Sequence, residues 1–136
     1  MEFLVYEVFT EDPESLQAVQ RSFQLERAAE FWIGVIATGG TGLTGRDGTP
    51  EAFRSIFEKE IEGFGELFRY ISLQKIGTST IQSRAVAGVA GGTYLFALPG
   101  SPSACRDAWD EILRYQLDIR HRPCNFVEIM PRLSEK

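Results

Sequence analysis

The feature that most constrains the fold of this chain is a glycine-rich segment directly after an apolar run. The run Phe31–Ala37 is continuously apolar, which is typical of a buried strand. The segment after it, Thr38–Asp47, has four glycines within its first eight residues. Glycine has no Cβ and exposes its backbone N–H groups, and a row of such groups can bind an anion. The pattern therefore predicts a strand followed by a loop that approaches a phosphate-bearing ligand, with Arg46 and Asp47 at the edge of the loop.

Other interpretations of this loop have to be weighed. Gly40-Thr-Gly42-Leu-Thr-Gly45 matches the G-x-G-x-x-G fingerprint of dinucleotide-binding folds. That fingerprint needs an acidic residue at the end of a second strand about 20 residues on, whereas Glu58–Glu62 lies in a helix-like run. A lone match is weak evidence, and a Walker A loop is excluded because Gly-Lys-Ser/Thr is missing. A mobile glycine-rich turn without a ligand is the remaining alternative.

Composition indicates one folded domain rather than a nucleic-acid or membrane protein. The 136 residues are 43% hydrophobic and carry a net charge of −5, whereas binding to a phosphate backbone needs a basic surface. No apolar run approaches the roughly 20 residues that span a membrane, and the N-terminus lacks the basic start of a signal peptide. Cys105, Cys124 and His121 do not have the spacing of a zinc site. We therefore expect a cytoplasmic protein with reduced thiols, with Cys105 in the core, and with no nucleic-acid or membrane partner.

Apolar periodicity and capping signals predict alternating strands and helices. The predicted strands are Phe3–Phe9, Phe31–Ala37 and Thr93–Leu98, and Arg84–Gly88 is either a short strand or a turn. The first two predicted helices are Pro13–Leu25, capped by Asp12, and one capped by Thr49 with the apolar stripe Phe53, Ile56, Phe57 and Ile61. The next resumes after Gly63 and Gly65 with Phe64, Leu67, Phe68 and Ile71 and ends near Gly77. The last is capped by Ser101 or Ser103, with Cys105, Ala108, Trp109 and Ile112 on one face, and the tail from Asp118 is irregular.

This order of elements predicts a single α/β domain over residues 1–136, a three-layer sandwich with a mainly parallel sheet. Loops that follow parallel strands emerge at the carboxyl edge of such a sheet, which is where ligands bind. Thr38–Asp47 and Pro99–Pro102 are two such loops. We expect both to emerge at that edge, and the pair is a more specific indication of a ligand site than either loop alone.

Together these stretches resemble the family of molybdenum-cofactor biosynthesis proteins MoaB and Mog, which includes the G domains of their eukaryotic relatives. The matching residues are Thr38–Thr44 with Arg46 and Asp47, then Glu60–Arg69, Gly77–Gly88 and Leu98–Pro102. The tail Arg122–Phe126 is more similar to the MoaB branch than to Mog. The resemblance covers residues 31–126 in order and without large gaps.

The resemblance implies binding of molybdopterin, a pterin with a dithiolene and a terminal phosphate, and adenylylation of that phosphate with Mg-ATP. It implies that Asp47 is catalytic and lies near the metal and the transferred phosphoryl group. Glu51, one helical turn on, is the second candidate Mg²⁺ ligand. The implied substrate- and nucleotide-binding residues are Thr38, Gly39, Gly40, Thr41, Gly42, Arg46, Ser83, Arg84, Pro99, Gly100, Ser101 and Pro102. The family also implies a homotrimer, or a hexamer of paired trimers.

These roles are chemically reasonable because adenylyl transfer joins two anions, and backbone N–H groups, Arg and Mg²⁺ offset their repulsion. Each candidate also has an ordinary structural explanation. Asp47 is otherwise a turn residue, Glu51 a helix-start acid, and Arg84 the partner of a helix acid. Glu66 and Arg69 are either pocket residues or an interhelical ion pair, and the ion pair is favoured.

One part of the family pattern has no counterpart in this sequence. Family members begin with a βα unit whose Ser-Asp strand end and acidic loop complete the nucleotide site, whereas this chain starts near what would be the second strand. In a sheet of order 2-1-3, the missing strand leaves a gap beside Phe31–Ala37. The explanations, in order, are a truncated gene model, a degenerate copy, and a rearrangement that moves Met1–Phe9 into the gap. The alternative function is therefore a catalytically silent molybdopterin-binding or assembly protein of the same pathway.

Overall fold

The computed structural model describes the backbone of Leu4–Val5 and residues 34–135. The strands are β1 (Leu4–Val5), β2 (Gly34–Thr38), β3 (Lys59–Glu60), β4 (Val86–Ala90) and β5 (Thr93–Leu98). The helices are α1 (Thr49–Ile56), α2 (Glu62–Ile76), α3 (Pro102–Ala108), α4 (Arg114–Gln116) and α5 (Phe126–Ile129). Gly77–Gln82 and Met130–Arg132 form 3-10 turns, and Trp109–Leu113 forms a π-helical turn. The predicted helix Pro13–Leu25 and most of the predicted strand Phe3–Phe9 lie outside the described residues.

The described strands form one sheet in the order β1-β2-β5-β4-β3. β2 pairs in parallel with β1 and β5, whereas β4 pairs antiparallel with β5 and β3. The α/β class is confirmed, and the sheet is mixed rather than mainly parallel. The reason is that β4 turns directly into β5 through Gly91 and Gly92, a two-residue hairpin turn. A parallel connection would need a crossover of a dozen or more residues.

β1 lies on the side of β2 that faces away from β5. Leu4 is opposite Val35 and Val5 is opposite Ile36, in parallel register. This is the side on which the family pattern predicts a gap. At Val35 and Ile36 the backbone of β2 therefore has a neighbouring strand on both sides.

Side chains of β5 alternate between the two faces of the sheet, as the pleat of a strand demands. Leu95 and Ala97 pack in one apolar cluster with Phe53 of α1. Tyr94, Phe96 and Leu98 pack in the opposite cluster, whose other members include Phe64, Phe68, Ile112 and Leu113. Helices therefore cover both faces of the sheet, and the predicted three-layer arrangement is present. The centre of the molecule is the strand Thr93–Leu98, whose bounds match the predicted ones.

The boundaries of α1 differ from the predicted ones for a reason that matters to the site. Gly48, not Thr49, is the N-cap residue. Thr49 is buried, and its backbone N–H donates a hydrogen bond to the carbonyl oxygen of Gly40. α1 ends at Ile56, so Ile61 does not extend its apolar stripe and instead caps the start of α2. The start of α1 is thus anchored to the glycine-rich loop by its main chain.

The C-terminal part is more regular than predicted. The Asn125 side chain is 2% exposed; its Oδ1 accepts from the N–H of Glu128, and its Nδ2 donates to the carbonyl oxygens of Ile119 and His121. These bonds cap α5 and fold the preceding turn onto it. The residues after Asp118 therefore form an ordered part of the fold rather than an irregular tail.

In the helical segment that begins at Pro102, the predicted core position of Trp109 is wrong, and that of Cys105 is only partly right. Trp109 is 41% exposed, because the helix changes to π-helical spacing at this residue and the α-helical stripe ends there. Cys105 is half-buried, and neither it nor Cys124 forms a disulfide. Among the described residues, no helix has the length and apolar character needed to cross a membrane.

Candidate functional site

The two loops predicted to share an edge of the sheet are in direct contact. The N–H of Gly39 donates to the carbonyl oxygen of Leu98 at 2.8 Å, which joins the ends of β2 and β5. A Cβ added to Gly100 would lie 3.2 Å from the Cα of Gly39. The loops after the two parallel strands therefore emerge together, and there is almost no room for a side chain between them.

The first turn of the glycine-rich loop depends on backbone conformations that favour glycine. Gly39 has a φ of 93° and Gly40 a φ of 66°. Residues with a Cβ rarely adopt this region. The carbonyl oxygen of Gly40 accepts from Thr49 N–H at 3.0 Å, so the turn is fixed between β2 and the start of α1.

Arg84 holds the loop from outside. Its backbone N–H donates to the carbonyl oxygen of Thr41 at 3.1 Å. Its side chain donates from Nε to the carbonyl oxygen of Gly42 and from Nη2 to that of Asp47, both at 2.6 Å. Nη1 forms an ion pair with Glu51 on the first turn of α1. Arg84 is therefore the partner of a helix acid, which is one of the two roles weighed from the sequence. Its hydrogen bonds to Thr41, Gly42 and Asp47 also hold the loop, and this set of bonds is the Arg84 clasp.

Asp47 closes the turn of the loop with its side chain. Its Oδ2 accepts from the N–H of Thr44 at 2.8 Å and from the Thr44 hydroxyl at 2.7 Å. These hydrogen bonds hold the pKa of the Asp47 carboxyl below its ordinary value, so the group is a carboxylate at neutral pH. Oδ1 takes no hydrogen bond from Thr44. A backbone hydrogen bond from Gly42 also lowers this pKa, so the carboxylate is held within the loop and the predicted role as a turn residue is observed.

Glu51 lies on the solvent side of the clasp. Its side chain is 58% exposed, and the hydrogen bond from Arg84 lowers the pKa of its carboxyl. Arg84 also contacts the main chain of Asp47, so both candidate metal ligands contact the same guanidinium. Within residues 34–135 no group of three or more His, Cys, Asp or Glu side chains is placed to hold a metal ion. A divalent cation here would need oxygen atoms from a substrate as well.

The second loop leads into α3. Ser101 Oγ accepts from the N–H of Ala104 at 3.2 Å, so Ser101 rather than Ser103 is the cap. Cys105 Sγ donates to the carbonyl oxygen of Pro99 at 3.3 Å. These contacts give the turn before α3 a defined shape, with Gly100 and Ser101 exposed at its tip.

The remaining predicted residues lie around these two loops. Thr38 ends β2 and is half-buried, and Arg46 is exposed on the glycine-rich loop. Ser83 is half-buried beside Arg84, and Pro102 begins α3. The structure therefore brings the segments 38–47, 83–84 and 99–102 to one edge of the sheet.

The prediction of an ion pair between Glu66 and Arg69 is wrong for the described residues. Arg69 instead donates from Nη1 to the carbonyl oxygen of Ala85 at 3.2 Å and to that of Ser83 at 3.5 Å. Thr44 was not singled out from the sequence, although its position three residues before Asp47 in a turn is a signal for a local hydrogen bond. Arg69 could not be assigned, because its partners are main-chain atoms 14 and 16 residues away.

Comparison with known proteins identifies the family of the chain. The family described as "Probable molybdopterin binding domain" matches residues 2–119. Molybdenum cofactor biosynthesis protein B of Escherichia coli (strain K12) is 62% identical over 92 residues, which are 68% of this chain and 54% of that protein. The chain spans about half the length of the curated relatives it matches.

Solved structures agree with the sequence comparison. A crystal structure of a molybdenum cofactor biosynthesis protein B superimposes with a TM-score of 0.71 at 42% identity, covering 79% of this chain and 65% of that one. The tungsten cofactor synthesizing protein MoaB from Pyrococcus furiosus superimposes with a TM-score of 0.62 at 35% identity, covering 71% and 61%. With the paired loops, the shared fold and the family match over most of its length, the chain belongs to the molybdopterin-binding domain family of MoaB and Mog.

Proposed function

We propose that this chain acts in molybdenum cofactor biosynthesis, binding molybdopterin where loops 38–47 and 99–102 meet and adenylylating it with Mg-ATP. The observation that carries the proposal is the clasp of Arg84 on the glycine-rich loop. Arg84 bonds the carbonyl oxygens of Gly42 and Asp47, so those carbonyls point toward the guanidinium and away from an incoming anion. Because ATP is the co-substrate, the proposal also assigns the protein to the cytoplasm.

The two loops supply the binding surface in this proposal. Gly100 lies so close to Gly39 that a Cβ on Gly100 would be 3.2 Å from the Cα of Gly39. The backbones of the two loops therefore form one edge of the site, the rim. A phosphate group at this rim would meet backbone rather than bulky side chains, and backbone dipoles stabilise anions without reorganising. Arg46 is exposed at the same loop and adds a positive charge. Loop 38–47 would hold the terminal phosphate, and loop 99–102 would contact the pterin.

The residues present fit a Mg²⁺ ion bound together with nucleotide. Mg²⁺ is usually bound by one or two carboxylates and by phosphate oxygens. Asp47 is ionised, and its Oδ1 takes neither of the Thr44 hydrogen bonds. We assign Oδ1 of Asp47 as the first ligand and Glu51 as the second. The ion would neutralise charge as the two anions approach, while Asp47 and Arg84 keep the loop in place.

The test is formation of adenylylated molybdopterin from molybdopterin and Mg-ATP, compared between the wild type and Asp47→Asn. Asn keeps an acceptor for Thr44, so the turn should survive while the negative charge is lost. Asp110→Asn, an exposed acid on the π-helical turn, is the matched control. We expect product from the wild type and the control only. Normal turnover by a folded Asp47→Asn variant would contradict the proposal.

A second candidate function is binding of molybdopterin without chemistry. This candidate is favoured because both candidate metal ligands already have partners within the protein. Asp47 accepts a hydrogen bond from Thr44, and Glu51 forms an ion pair with Arg84. Calorimetric binding of molybdopterin by a folded wild type that forms no ATP-dependent product would establish it. The same pair of measurements therefore separates the enzyme from the binding protein.

We further propose that the chain assembles as a homotrimer or as a hexamer. Support comes from large apolar side chains that α2 and the 3-10 turn after it leave exposed, among them Tyr70 at 61% and Ile81 at 78%. Large apolar side chains left exposed close together in the chain are typical of interaction sites. Light scattering on the wild type should give a mass above that of the monomer, and the double variant Tyr70→Glu/Ile81→Glu should lower it. Ile129→Glu, exposed near the C-terminus, is the control; a monomeric wild type would overturn this proposal.

A further inference from the structure

The side chain of Arg69 lies across one turn of α2 and reaches the main chain before β4. Side chains on a helix point back toward its N-terminus, so Arg69 extends over Gly65 four residues earlier. Its Nη1 donates to the carbonyl oxygens of Ser83 and Ala85. These are the two residues that flank Arg84, and none of the three belongs to a strand. The guanidinium therefore holds the segment that carries the clasp.

Gly65 makes this arrangement possible. A Cβ at this position would lie 2.6 Å from the carbonyl oxygen of Ala85 and 2.9 Å from both Nη atoms of Arg69. Real Cβ atoms essentially never approach other atoms so closely, so a side chain here would displace the guanidinium or the segment. Gly65 is inside α2, where glycine is less favourable than alanine. The space it leaves is occupied by the side chain of Arg69.

The segment around Arg84 is thus held on two sides. Toward the glycine-rich loop, Arg84 donates from its backbone to Thr41 and from its side chain to Gly42. Toward α2, only Arg69 is seen to donate to the flanking carbonyls among the described residues. A planar guanidinium can serve two carbonyl acceptors at once, whereas an ammonium is a point donor. The position of Arg84 relative to the loop depends on both attachments.

We propose that Arg69 is a positioning residue for the molybdopterin site: through the carbonyls of Ser83 and Ala85 it holds Arg84, and Gly65 provides the space it needs. This inference rests on the proposed function for its effect on ligand binding. Its effect on Arg84 does not depend on any ligand. The two can therefore be tested separately.

The first readout is the Nε–Hε signal of Arg84 in a ¹⁵N correlation spectrum of the free protein, assigned by its loss in Arg84→Lys. Arg69→Gln should shift or broaden this signal and the amide signals of residues 39–47. Arg54→Gln is the matched control. Arg54 lines the same cavity of about 290 Å³ as Arg69, but its side chain pairs with Glu60 instead of the main chain before β4. We expect the control to leave the Arg84 signal in place.

The second readout is the dissociation constant of molybdopterin, measured by calorimetry. The loss of charge-assisted hydrogen bonds changes an equilibrium constant by about 10- to 100-fold. Arg69→Gln should therefore raise this dissociation constant by about 10- to 100-fold. Gly65→Ala should do the same with Arg69 still present. Arg69→Lys keeps the charge and should restore only part of the affinity. If Arg69→Gln does not fold, Gly65→Ala and Arg69→Lys carry the same test.

The outcomes separate the two proposals. A shifted Arg84 signal in folded Arg69→Gln or Gly65→Ala supports the positioning role, even if the wild type binds no molybdopterin and the proposed function fails. A lower melting temperature with an unchanged Arg84 signal in both variants would show that Arg69 only stabilises the fold, and would overturn the inference.

Discussion

The carbonyl oxygen of Gly42 lies 2.6 Å from Nε of Arg84, although the two residues are 42 positions apart in the chain. The contact joins the loop after β2 to the segment before β4. A guanidinium presents several donors in one plane, so the same side chain also reaches Asp47 and Glu51. The shape of the loop therefore depends on a residue outside it.

Replacement of Arg84 by methionine should loosen the loop without breaking the core. Hydrogen bonds of charged groups contribute about 1.5–3 kcal/mol each. The carbonyl groups that lose Arg84 can bond to water near the surface, which recovers part of this sum. We expect the free energy of unfolding to fall by about 2 kcal/mol and the affinity for molybdopterin to fall by about 10-fold or more. Chemical denaturation and calorimetry measure the two effects.

Arg54→Met is the control for this change, because Arg54 forms an exposed ion pair with Glu60 and does not contact the loop. An exposed pair contributes about 0–1 kcal/mol. Equal losses of affinity in Arg54→Met and Arg84→Met would show that general positive charge, and not the clasp, is what binding needs.

Contact between the two loops gives a second prediction. In Gly100→Ala the added Cβ would lie 3.2 Å from the Cα of Gly39, so the loops must move apart by a few tenths of an ångström. Gly63→Ala is the matched control, because Gly63 lies outside both loops and a Cβ there meets nothing within 4 Å. We expect weaker molybdopterin binding only in Gly100→Ala, with both variants folded. Unchanged binding in Gly100→Ala would mean that the ligand does not contact this junction.

Much of this fold follows from local patterns in the chain. The strand Thr93–Leu98 is predictable because a short, continuous apolar run between turn residues is typical of a buried strand. The direction of β4 was not predicted, because Gly91-Gly92 was not recognised as a hairpin turn. Trp109 was misassigned because a π-helical turn leaves no clear mark in the spacing of apolar residues.

Some features of the candidate site could likewise be predicted from the sequence, and others could not. The two loops could be predicted, since each follows a parallel strand and ligands bind at that edge. The bonds that shape them could not, because Arg84 and Arg69 act on main-chain carbonyls, which carry no sequence signal. Only folding determines which carbonyl lies within reach of a guanidinium.

Tyr94 offers a prediction on the opposite face of the sheet. Its ring is buried and lies 4.7 Å from that of Phe126, and its hydroxyl donates to the carbonyl oxygen of Phe126 at 2.7 Å. Tyr94→Phe should lower the free energy of unfolding by about 1 kcal/mol, because that carbonyl loses a partner. Burial raises the pKa of Tyr94 from 10 to about 12. The stability this gives is complete below pH 10 and is lost as the pH rises through 12.

The measurement for Tyr94 is the absorbance of ionised tyrosine during alkaline titration. A late step near pH 12 should be present in the wild type and absent from Tyr94→Phe. Tyr70→Phe, which changes an exposed tyrosine, is the control and should leave the step near pH 12 in place. A wild type without a step near pH 12 would contradict the buried hydrogen bond.

The turn closed by Asp47 predicts how the loop responds to acid. The two hydrogen bonds from Thr44 hold the pKa of the Asp47 carboxyl below its ordinary value of 3.8. A lowered pKa in the folded state stabilises the fold above pH 3.8, and this contribution is lost as the pH falls through the folded-state pKa. Thr44→Val has nearly the same shape but removes the hydroxyl donor. We therefore expect the Asp47 pKa to rise toward 3.8 and the stability of the fold to depend less on pH in the acidic range.

Carbon-13 NMR of the Asp47 carboxyl, followed through acid titration, measures this pKa directly in both proteins. Thr78→Val, an exposed threonine on the 3-10 turn after α2, is the control and should leave the Asp47 titration unchanged. The main-chain bond from Thr44 remains in Thr44→Val, so the shift should be partial. An Asp47 that titrates at or above 3.8 in the wild type would mean that the Thr44 hydrogen bonds do not hold the carboxylate.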